Sequence, residues 1–363
     1  MPWLERPLIM LGHGIQASGS ADLANMILGL GLPVAASWPA KDLVDNTHPS
    51  FLGCTGVYGN RAANLAFSKA DQILALGNRL SLWNIAEQGL DHKPRVEMVD
   101  ADPSEAERLG ATHISQHLSL FMRNMEPASR PKWLAQCQAW KEELPWLEMP
   151  AHENGRWINS YQFTRRLEKY LRLDEVIVTD MGTPLICAHQ VLRLKPPQRL
   201  MTSGGLGEMG CGLPAAIGAS LAGAKHVLCL HADGGMMMNL QELQTIINYK
   251  LPIKIIVYEN DGYLMIKHTQ KNSGMIHTSV DAASGVGLPD FVKLAHSLGF
   301  AACHISTWED FTSAIPQLFA AQDPALVVYH MDPEQPLVPR LKYILPDGSR
   351  PRFEQMSPLL TNT

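Results

Sequence analysis

Three short runs in the first third of the chain are strand-like: residues 8–12 (Leu-Ile-Met-Leu-Gly), 73–77 (Ile-Leu-Ala-Leu-Gly) and 96–100 (Val-Glu-Met-Val-Asp), the first two apolar throughout and ending in Gly. Helical stretches lie between them, which is the rhythm of a parallel sheet with crossover helices. The same rhythm returns in residues 176–179, 225–230, 253–258 and 325–329, with helices expected near residues 212–221 and 240–249. The predicted fold class is therefore α/β, with two doubly wound parallel-sheet domains, the first Rossmann-like.

A polar passage from Met125 to Asn159 separates the two series and carries Pro127, Pro131, Pro145 and Pro150, with a helix expected around Trp133 to Leu144. It reads as a connection between domains. After Met331 come Pro333, Pro336, Pro339, Pro346, Pro351 and Pro358, too many for a helix or central strand. The expected organisation is a first domain over residues 1–130, a linker over 131–159, a second domain over 160–332 and an extended surface arm over 333–363.

Composition narrows the functional class. Apolar residues make up 46% and charged residues 18%, with a formal net charge of −5, which excludes a disordered chain and a basic nucleic-acid binder. The chain has no apolar stretch long enough to span a membrane and no secretory leader pattern at Met1–Pro7. The six cysteines, at 54, 137, 187, 211, 229 and 303, are too far apart for a zinc motif or a disulfide framework. Buried thiols in a reducing compartment fit, and a cytoplasmic small-molecule enzyme is expected.

The chemistry concentrates in Cys229-Leu230-His231-Ala232-Asp233-Gly234-Gly235-Met236 and in Ile253-Lys254-Ile255-Ile256-Val257-Tyr258-Glu259-Asn260-Asp261-Gly262-Tyr263. Two apolar strands end in Asp-Gly-Gly and Asn-Asp-Gly. In a doubly wound sheet such ends open onto one crevice, where ligands collect. Glycines let backbone N–H groups approach a phosphate, and a helix expected to start near Met238 would aim its positive end there. Mg²⁺ on a diphosphate favours a carboxylate plus neutral oxygens. Asp233 and Asn260, 27 positions apart, suit that role at an interval of one turn, one helix and one returning strand. Taken alone, an Asp before Gly is more often only a turn; the pairing with Asn260 gives it weight. Met236, Met237 and Met238 read as packing residues, and His231 and His268 as local hydrogen-bonding residues.

These motifs resemble the Gly-Asp-Gly…Asn-Asn element of thiamine-diphosphate enzymes, with Ala232 and Glu259 as departures from the usual pattern. The block Thr202-Ser203-Gly204-Gly205-Leu206-Gly207-Glu208-Met209-Gly210-Cys211-Gly212-Leu213-Pro214-Ala215-Ala216-Ile217-Gly218-Ala219 is similar to the acetolactate synthase and pyruvate oxidase branch, with Glu208 where Thr is more frequent. The resemblance implies thiamine diphosphate and Mg²⁺ as cofactors, and a cofactor-binding second domain. It implies Asp233, Asn260 and the Gly262 carbonyl as metal ligands, with Gly234, Gly235, Gly182 and Thr183 as diphosphate contacts. It also implies that the Gly207 carbonyl accepts from the cofactor's amino group, and that Met209 wedges beneath the bent cofactor. Residues 263–270 would form a mobile loop over the substrate, offering Lys267, His268 and Gln270 to a carboxylate.

The first half resembles the central domain of the same enzymes, from Gly12-His13-Gly14 through Gly56-Val57-Tyr58-Gly59 to Asp100-Ala101-Asp102-Pro103. Some relatives bind FAD there. Gly12, Gly14 and Gly19 do not have the spacing of a dinucleotide fingerprint, so FAD is not favoured and NAD less so.

In this family the glutamate that activates the cofactor's pyrimidine ring lies in an N-terminal domain, which this sequence does not show. The expectation is a separate pyrimidine-domain subunit, a small 2-oxo acid as substrate, and a homodimer or hetero-oligomer with no nucleic acid or membrane partner. The initiating Met just before a domain start favours a naturally split chain. A noncatalytic cofactor-binding or regulatory subunit and a flavin-using, pyruvate oxidase-like enzyme remain as alternatives.

Overall fold

A computed structural model describes residues 2–147, 156–342, 344–345 and 348–360. Pro150, Pro346 and residues 148–155 of the expected linker lie outside the described residues. The chain divides into two compact units: Met1–Glu148 with Arg193–Pro196 and Val338–Thr363, and Met149–Leu192 with Pro197–Leu337.

The first unit is built on a parallel six-stranded sheet of β1 (Pro7–Leu11), β2 (Val34–Ala36), β3 (Phe51–Cys54), β4 (Gln72–Leu76), β5 (Arg95–Val99) and β6 (Thr112–His113), in the order β3-β2-β1-β4-β5-β6. The apolar runs are buried on both sides, and the strand pleat sorts them by parity. Ile9, Leu11, Leu74 and Leu76 enter the core on one face, whereas Leu8, Met10, Ile73 and Ala75 enter the core on the other. An unbroken apolar sequence is thus a two-faced element. The central strands were legible for that reason. The short β2, the Gly53-containing β3 and the two-residue β6 carry too few apolar positions to show.

Helix α1 (Arg61–Lys69) and helix α2 (Pro131–Glu143) cover the second face. Trp133 and Cys137 of α2 are buried there, and the Trp133 indole N–H donates to the Pro7 carbonyl at 2.9 Å. The proline-rich C-terminal stretch has no helix among its described residues, yet it is more than the surface arm expected. Leu341, Phe353 and Met356 are buried in the same core, and Arg61 donates to the carbonyls of Met356 (3.0 Å) and Pro358 (2.6 Å). A chain that cannot form ladders satisfies its carbonyls with a guanidinium instead.

The second unit carries β7 (Val176–Thr179), β8 (Arg199–Met201), β9 (Val227–Ala232), β10 (Ile253–Glu259), β11 (Ala301–Ile305) and β12 (Ala325–His330), all parallel in the order β11-β12-β10-β9-β7-β8. One face holds an aliphatic core of Val178, Cys229, Ile255, Val257 and Val328 with their neighbours. On α3 (Ser160–Leu167), Phe163 stacks on Tyr329 at 3.9 Å between ring centres and meets Tyr258 edge-on. Both phenols are buried, and both find partners, Thr164 for Tyr258 and the Ile158 carbonyl for Tyr329. Edge strand β11 is half exposed and lacks an apolar run, which is why the sequence pattern passed over it.

The sheet order positions the site. From β7 the chain steps outward to β8 on one side, then returns to build β9 and everything after it on the other. The reversal lies between β7 and β9, and the crevice at their C-terminal ends is where a doubly wound sheet receives ligands.

Phe353 tests whether the C-terminal stretch is structural. Its ring lies 5.2 Å from that of Phe67 and is 2% exposed. Phe353→Ala is expected to lower unfolding free energy by about 3 kcal/mol, read from urea unfolding followed by tryptophan fluorescence; an unchanged midpoint would show that this stretch contributes nothing to the core.

Candidate cofactor and metal site

Asp233 is the first residue after β9 and is fully buried. Its Oδ1 accepts the Gly234 N–H at 2.8 Å, and its Oδ2 accepts the N–H groups of Asn260 (2.7 Å) and Gly262 (3.1 Å). The parallel register that pairs Ala232 with Tyr258 carries the two strand ends to this meeting. Burial pushes the carboxyl up to about 7, against the pull of the three N–H donors.

Asn260 is 7% exposed and its Oδ1 has no hydrogen-bond partner. Asp261 adopts φ 64° and Gly262 φ 136°, a turn that folds the chain back so that the Gly262 carbonyl faces Gly234. A Cβ on Gly234 would fall 2.4 Å from the Tyr263 ring and 3.1 Å from that carbonyl. Asp233, Asn260 and Gly262 are therefore brought together. A carboxylate, an unpartnered amide oxygen and a backbone carbonyl form the hard oxygen set that Mg²⁺ takes when a diphosphate supplies further oxygens. The residues fit the ion.

Two helices flank the crevice. Helix α4 (Thr183–Val191) starts at Gly182, whose φ of 126° bars a side chain and which rests against Ala232. The Thr183 Oγ1 is buried without a partner. Helix α5 (Gly212–Leu221) follows the 202–211 loop and has the limits the sequence predicted. The loop is fastened to the crevice at both ends: Thr179 bonds Thr202 at 3.1 Å, and the Asn239 amide donates to the Gly210 carbonyl at 2.8 Å. A Cβ on Gly207 would lie 2.3 Å from the Met181 methyl, so Gly207 sits over the end of β7. Leu206 and Met209 are exposed.

The structure corrects two local expectations. The Asp-Gly-Gly segment is not a turn before a helix at Met238; it is itself the helix α6 (Asp233–Met236), and the next helix begins only at Glu242. The Asp233 carboxylate capping its own first turn favours the early start, and Asn239 is drawn out to hold Gly210. Residues 263–270 are not irregular: Leu264–Asn272 form helix α7. Lys267 is ion-paired to Asp281 at 3.3 Å and Glu334 at 2.5 Å, which raises its pKa against the effect of burial. Gln270 exchanges two 3.0 Å hydrogen bonds with the Thr278 backbone. Neither side chain is held out toward a substrate, and His268 lies on the same short helix.

Sequence reasoning missed Asp180, which ends the Val176–Thr179 run much as Asp233 ends its own. It is fully buried, accepts the Gly212 N–H at 3.2 Å and stands 3.5 Å from His231. Its Oδ2 occupies the space beside Gly235, where a Cβ would lie 1.9 Å away. Burial raises Asp180 and lowers His231.

The first sheet reverses between β1 and β4, but there Gly12 and Gly14 press onto Gly77, with 2.1 Å from a Gly12 Cβ to the Gly77 oxygen. These glycines serve strand-end packing, and FAD is not favoured.

The lining of this strand-end corner, a carboxylate, neutral oxygens and glycine backbone, fits a divalent cation on a diphosphate. Residues 180–329 match the C-terminal TPP-binding domain of thiamine pyrophosphate enzymes, and residues 4–122 match their central domain. The chain belongs to the thiamine pyrophosphate enzyme family. Similar proteins include a probable acetolactate synthase large subunit of Methanocaldococcus jannaschii (29% identical, 97% of this chain, 64% of that protein). Others are the acetolactate synthase isozyme 2 large subunit of Escherichia coli (28%, 92% and 62%) and an acetolactate synthase large subunit of Buchnera aphidicola (30%, 84% and 55%). The chain thus spans less than two-thirds of the length of these relatives. Among the described residues no helix is long and apolar enough to cross a membrane.

Glycine substitutions separate crowded from open positions. Gly235→Ala is expected to displace the Asp180 carboxylate and lower stability by about 1–3 kcal/mol. Gly218→Ala, in α5 with nothing within 4 Å, should be neutral or stabilising by up to about 1 kcal/mol. Thermal unfolding of the two variants side by side measures the difference.

Proposed function

We propose that this chain is the diphosphate- and magnesium-holding part of a thiamine-diphosphate-dependent 2-oxo-acid decarboxylase and carboligase of the acetolactate synthase type. The observation that carries this reading is the meeting of Asp233, Asn260 and Gly262 at the reversal point of a sheet, with the buried Asn260 Oδ1 left without a partner among the described residues. Bound thiamine diphosphate supplies the nucleophilic carbon and the electron sink that let a 2-oxo acid lose CO₂ and its remaining fragment join an acceptor carbonyl.

The protein's part is holding and orienting. Asp233, Asn260 and the Gly262 carbonyl would hold Mg²⁺, and a cation there would draw the buried Asp233 carboxyl back to its ionised form. Gly182, Thr183, Gly234 and Gly235 give the diphosphate a close backbone approach and a buried hydroxyl. The Gly207 carbonyl would accept from the cofactor's amino group, and Met209, flexible and polarizable, would pack against the cofactor. Lys267 and Gln270 brace α7 against neighbouring segments, and any part for them or His268 in gripping the substrate carboxylate follows from movement of that helix.

The carboxylate that activates the pyrimidine ring is assigned to a pyrimidine-binding domain on a separate subunit. Support comes from Leu206 and Met209, two apolar side chains left exposed on the 202–211 loop. The names of the relatives as large subunits are consistent with a hetero-oligomer.

Calorimetric titration tests the cofactor site. The chain is expected to bind thiamine diphosphate only with Mg²⁺ present, and Asp233→Ala to abolish the heat while leaving the fold intact by circular dichroism; Mg²⁺-independent binding, or binding unaffected by the substitution, would overturn the assignment. Activity is tested with pyruvate. CO₂ release is expected only when a pyrimidine-domain polypeptide is added, and release by this chain alone would remove the separate-subunit part of the reading while leaving the cofactor site standing.

A further inference from the structure

The residues that end β7 touch the 202–211 loop at its start, its middle and its end. Val178 lies opposite Met201 in the parallel register of β7 and β8. Thr179 and Thr202 are the next residues on each strand, and the Thr179 hydroxyl donates to that of Thr202 at 3.1 Å. Where the loop enters α5, Asp180 Oδ1 accepts the Gly212 N–H at 3.2 Å and lies 3.7 Å from the Cys211 Sγ. At the middle, the Met181 methyl stands 2.3 Å from where a Cβ on Gly207 would be. Gly182 and Thr183 follow directly and start α4.

The loop has little of its own to hold it. Gly204, Gly205, Gly207 and Gly210 give it wide backbone freedom, and Gly207 and Gly210 adopt φ 66° and 86°. Among the described residues no backbone hydrogen bond joins two positions within 203–210. The Ser203 hydroxyl donates across the loop to the Glu208 carboxylate, but that pair is exposed. Ordering such a segment costs conformational entropy that contacts outside it must offset. Those contacts come from the end of β7 and from Asn239, whose amide holds the Gly210 carbonyl.

Asp180 is an unexpected residue to find there. It is fully buried, and its Oδ2 sits beside Gly235, one of the glycines assigned to the diphosphate. A carboxylate beneath a diphosphate repels it, and burial adds a desolvation cost. The diphosphate gives no reason for Asp180, whereas the N–H at the loop end does: a carboxylate makes a stronger acceptor than any neutral side chain of its size.

We propose that Thr179, Asp180 and Met181 form a clasp that sets the 202–211 loop against the crevice, with Asp180 as its positioning residue. The clasp rests on the proposed function for the identity of the ligand. It adds that one unbroken segment, residues 179–183, fixes the loop carrying Gly207 and Met209 relative to the diphosphate contacts Gly182 and Thr183. A released loop occupies its binding conformation for only a fraction of the time, and the apparent affinity of a ligand that needs the loop falls by that fraction. A ligand confined to the diphosphate contacts is unaffected.

Two ligands separate these cases. Calorimetry with Mg²⁺ present compares thiamine diphosphate, which extends to the loop, with inorganic diphosphate, which does not. Relative to inorganic diphosphate, thiamine diphosphate is expected to bind about tenfold more weakly to Asp180→Ala and about threefold more weakly to Thr179→Val. Asp180→Asn keeps an acceptor for Gly212 and removes the charge, and should hold the ratio within about twofold of the parent. Thermolysin cleavage before Leu206 in the ligand-free chain should quicken by similar factors in the first two variants. Cleavage before Ile276, 86% exposed against 94% for Leu206, is the internal reference; a variant that has merely lost stability quickens both. An unchanged ligand ratio with unchanged Leu206 cleavage in Asp180→Ala and Thr179→Val, or Asp180→Asn behaving as Asp180→Ala, would overturn the proposal. Thr179→Val, which keeps the side-chain volume, decides the matter if Asp180→Ala does not fold. Failure of the unsubstituted chain to bind either ligand removes the proposed function instead, and the cleavage rates then decide the clasp by themselves.

Discussion

A buried carboxylate bonded only to backbone N–H groups, with no cation beside it, is an unfinished interaction, and the strand ends of the second unit meet about one. Asp233 takes three backbone hydrogen bonds, from its own helix start and from the turn after β10. Those bonds tie two strand ends together, yet burial still holds the carboxyl near 7. N–H dipoles orient the charge without neutralising it. In the proposed function a divalent cation would neutralise it, shared with the neutral oxygens of Asn260 and Gly262. The register of β9 on β10, the reversal of the sheet between β7 and β9 and the positive φ of Gly262 are all conditions for that corner to exist.

Space is the second constraint. Gly182, Gly234 and Gly235 stand where a Cβ would strike Ala232, Tyr263 or Asp180, so the crevice floor is backbone brought close from three directions. Asp180 and His231 fill the volume beneath it as a buried acid-base pair. The first unit has the same kind of sheet and its own reversal point, but there Gly12 and Gly77 close the gap between strands. Two copies of one architecture thus differ in function because glycine contacts open one crevice and fill the other.

The region beside the crevice is braced. Lys267 bridges Asp281 and Glu334, and Gln270 clasps Thr278, so α7 is fixed to two segments that follow it in the chain. On the far side of Asn260, the Glu259–His330–His304 line fixes the ends of β10, β12 and β11. The Asp233–Asn260 corner therefore lies between an ion-pair network and an imidazole pair.

The central strands, the parallel α/β class, the limits of α5 and the pairing of Asp233 with Asn260 were legible in the sequence because each is a local pattern: an apolar run, a glycine at a strand end, an interval of one crossover. What the sequence could not show depended on partners distant in the chain. The edge strand β11 and the short β2, β6 and β8 exist because neighbours supply their ladders, and carry little signal of their own. Helix α7 replaced an expected loop because Asp281, Glu334 and Thr278 hold it. Asp233 starts a helix instead of preceding one because the donors that fix its carboxylate come from residues 260 and 262. The pairing of His304 with His330 needs two strands set side by side by the sheet. Local chemistry follows from neighbouring residues, whereas burial and the meeting of side chains distant in sequence are properties of surfaces that only folding brings into contact.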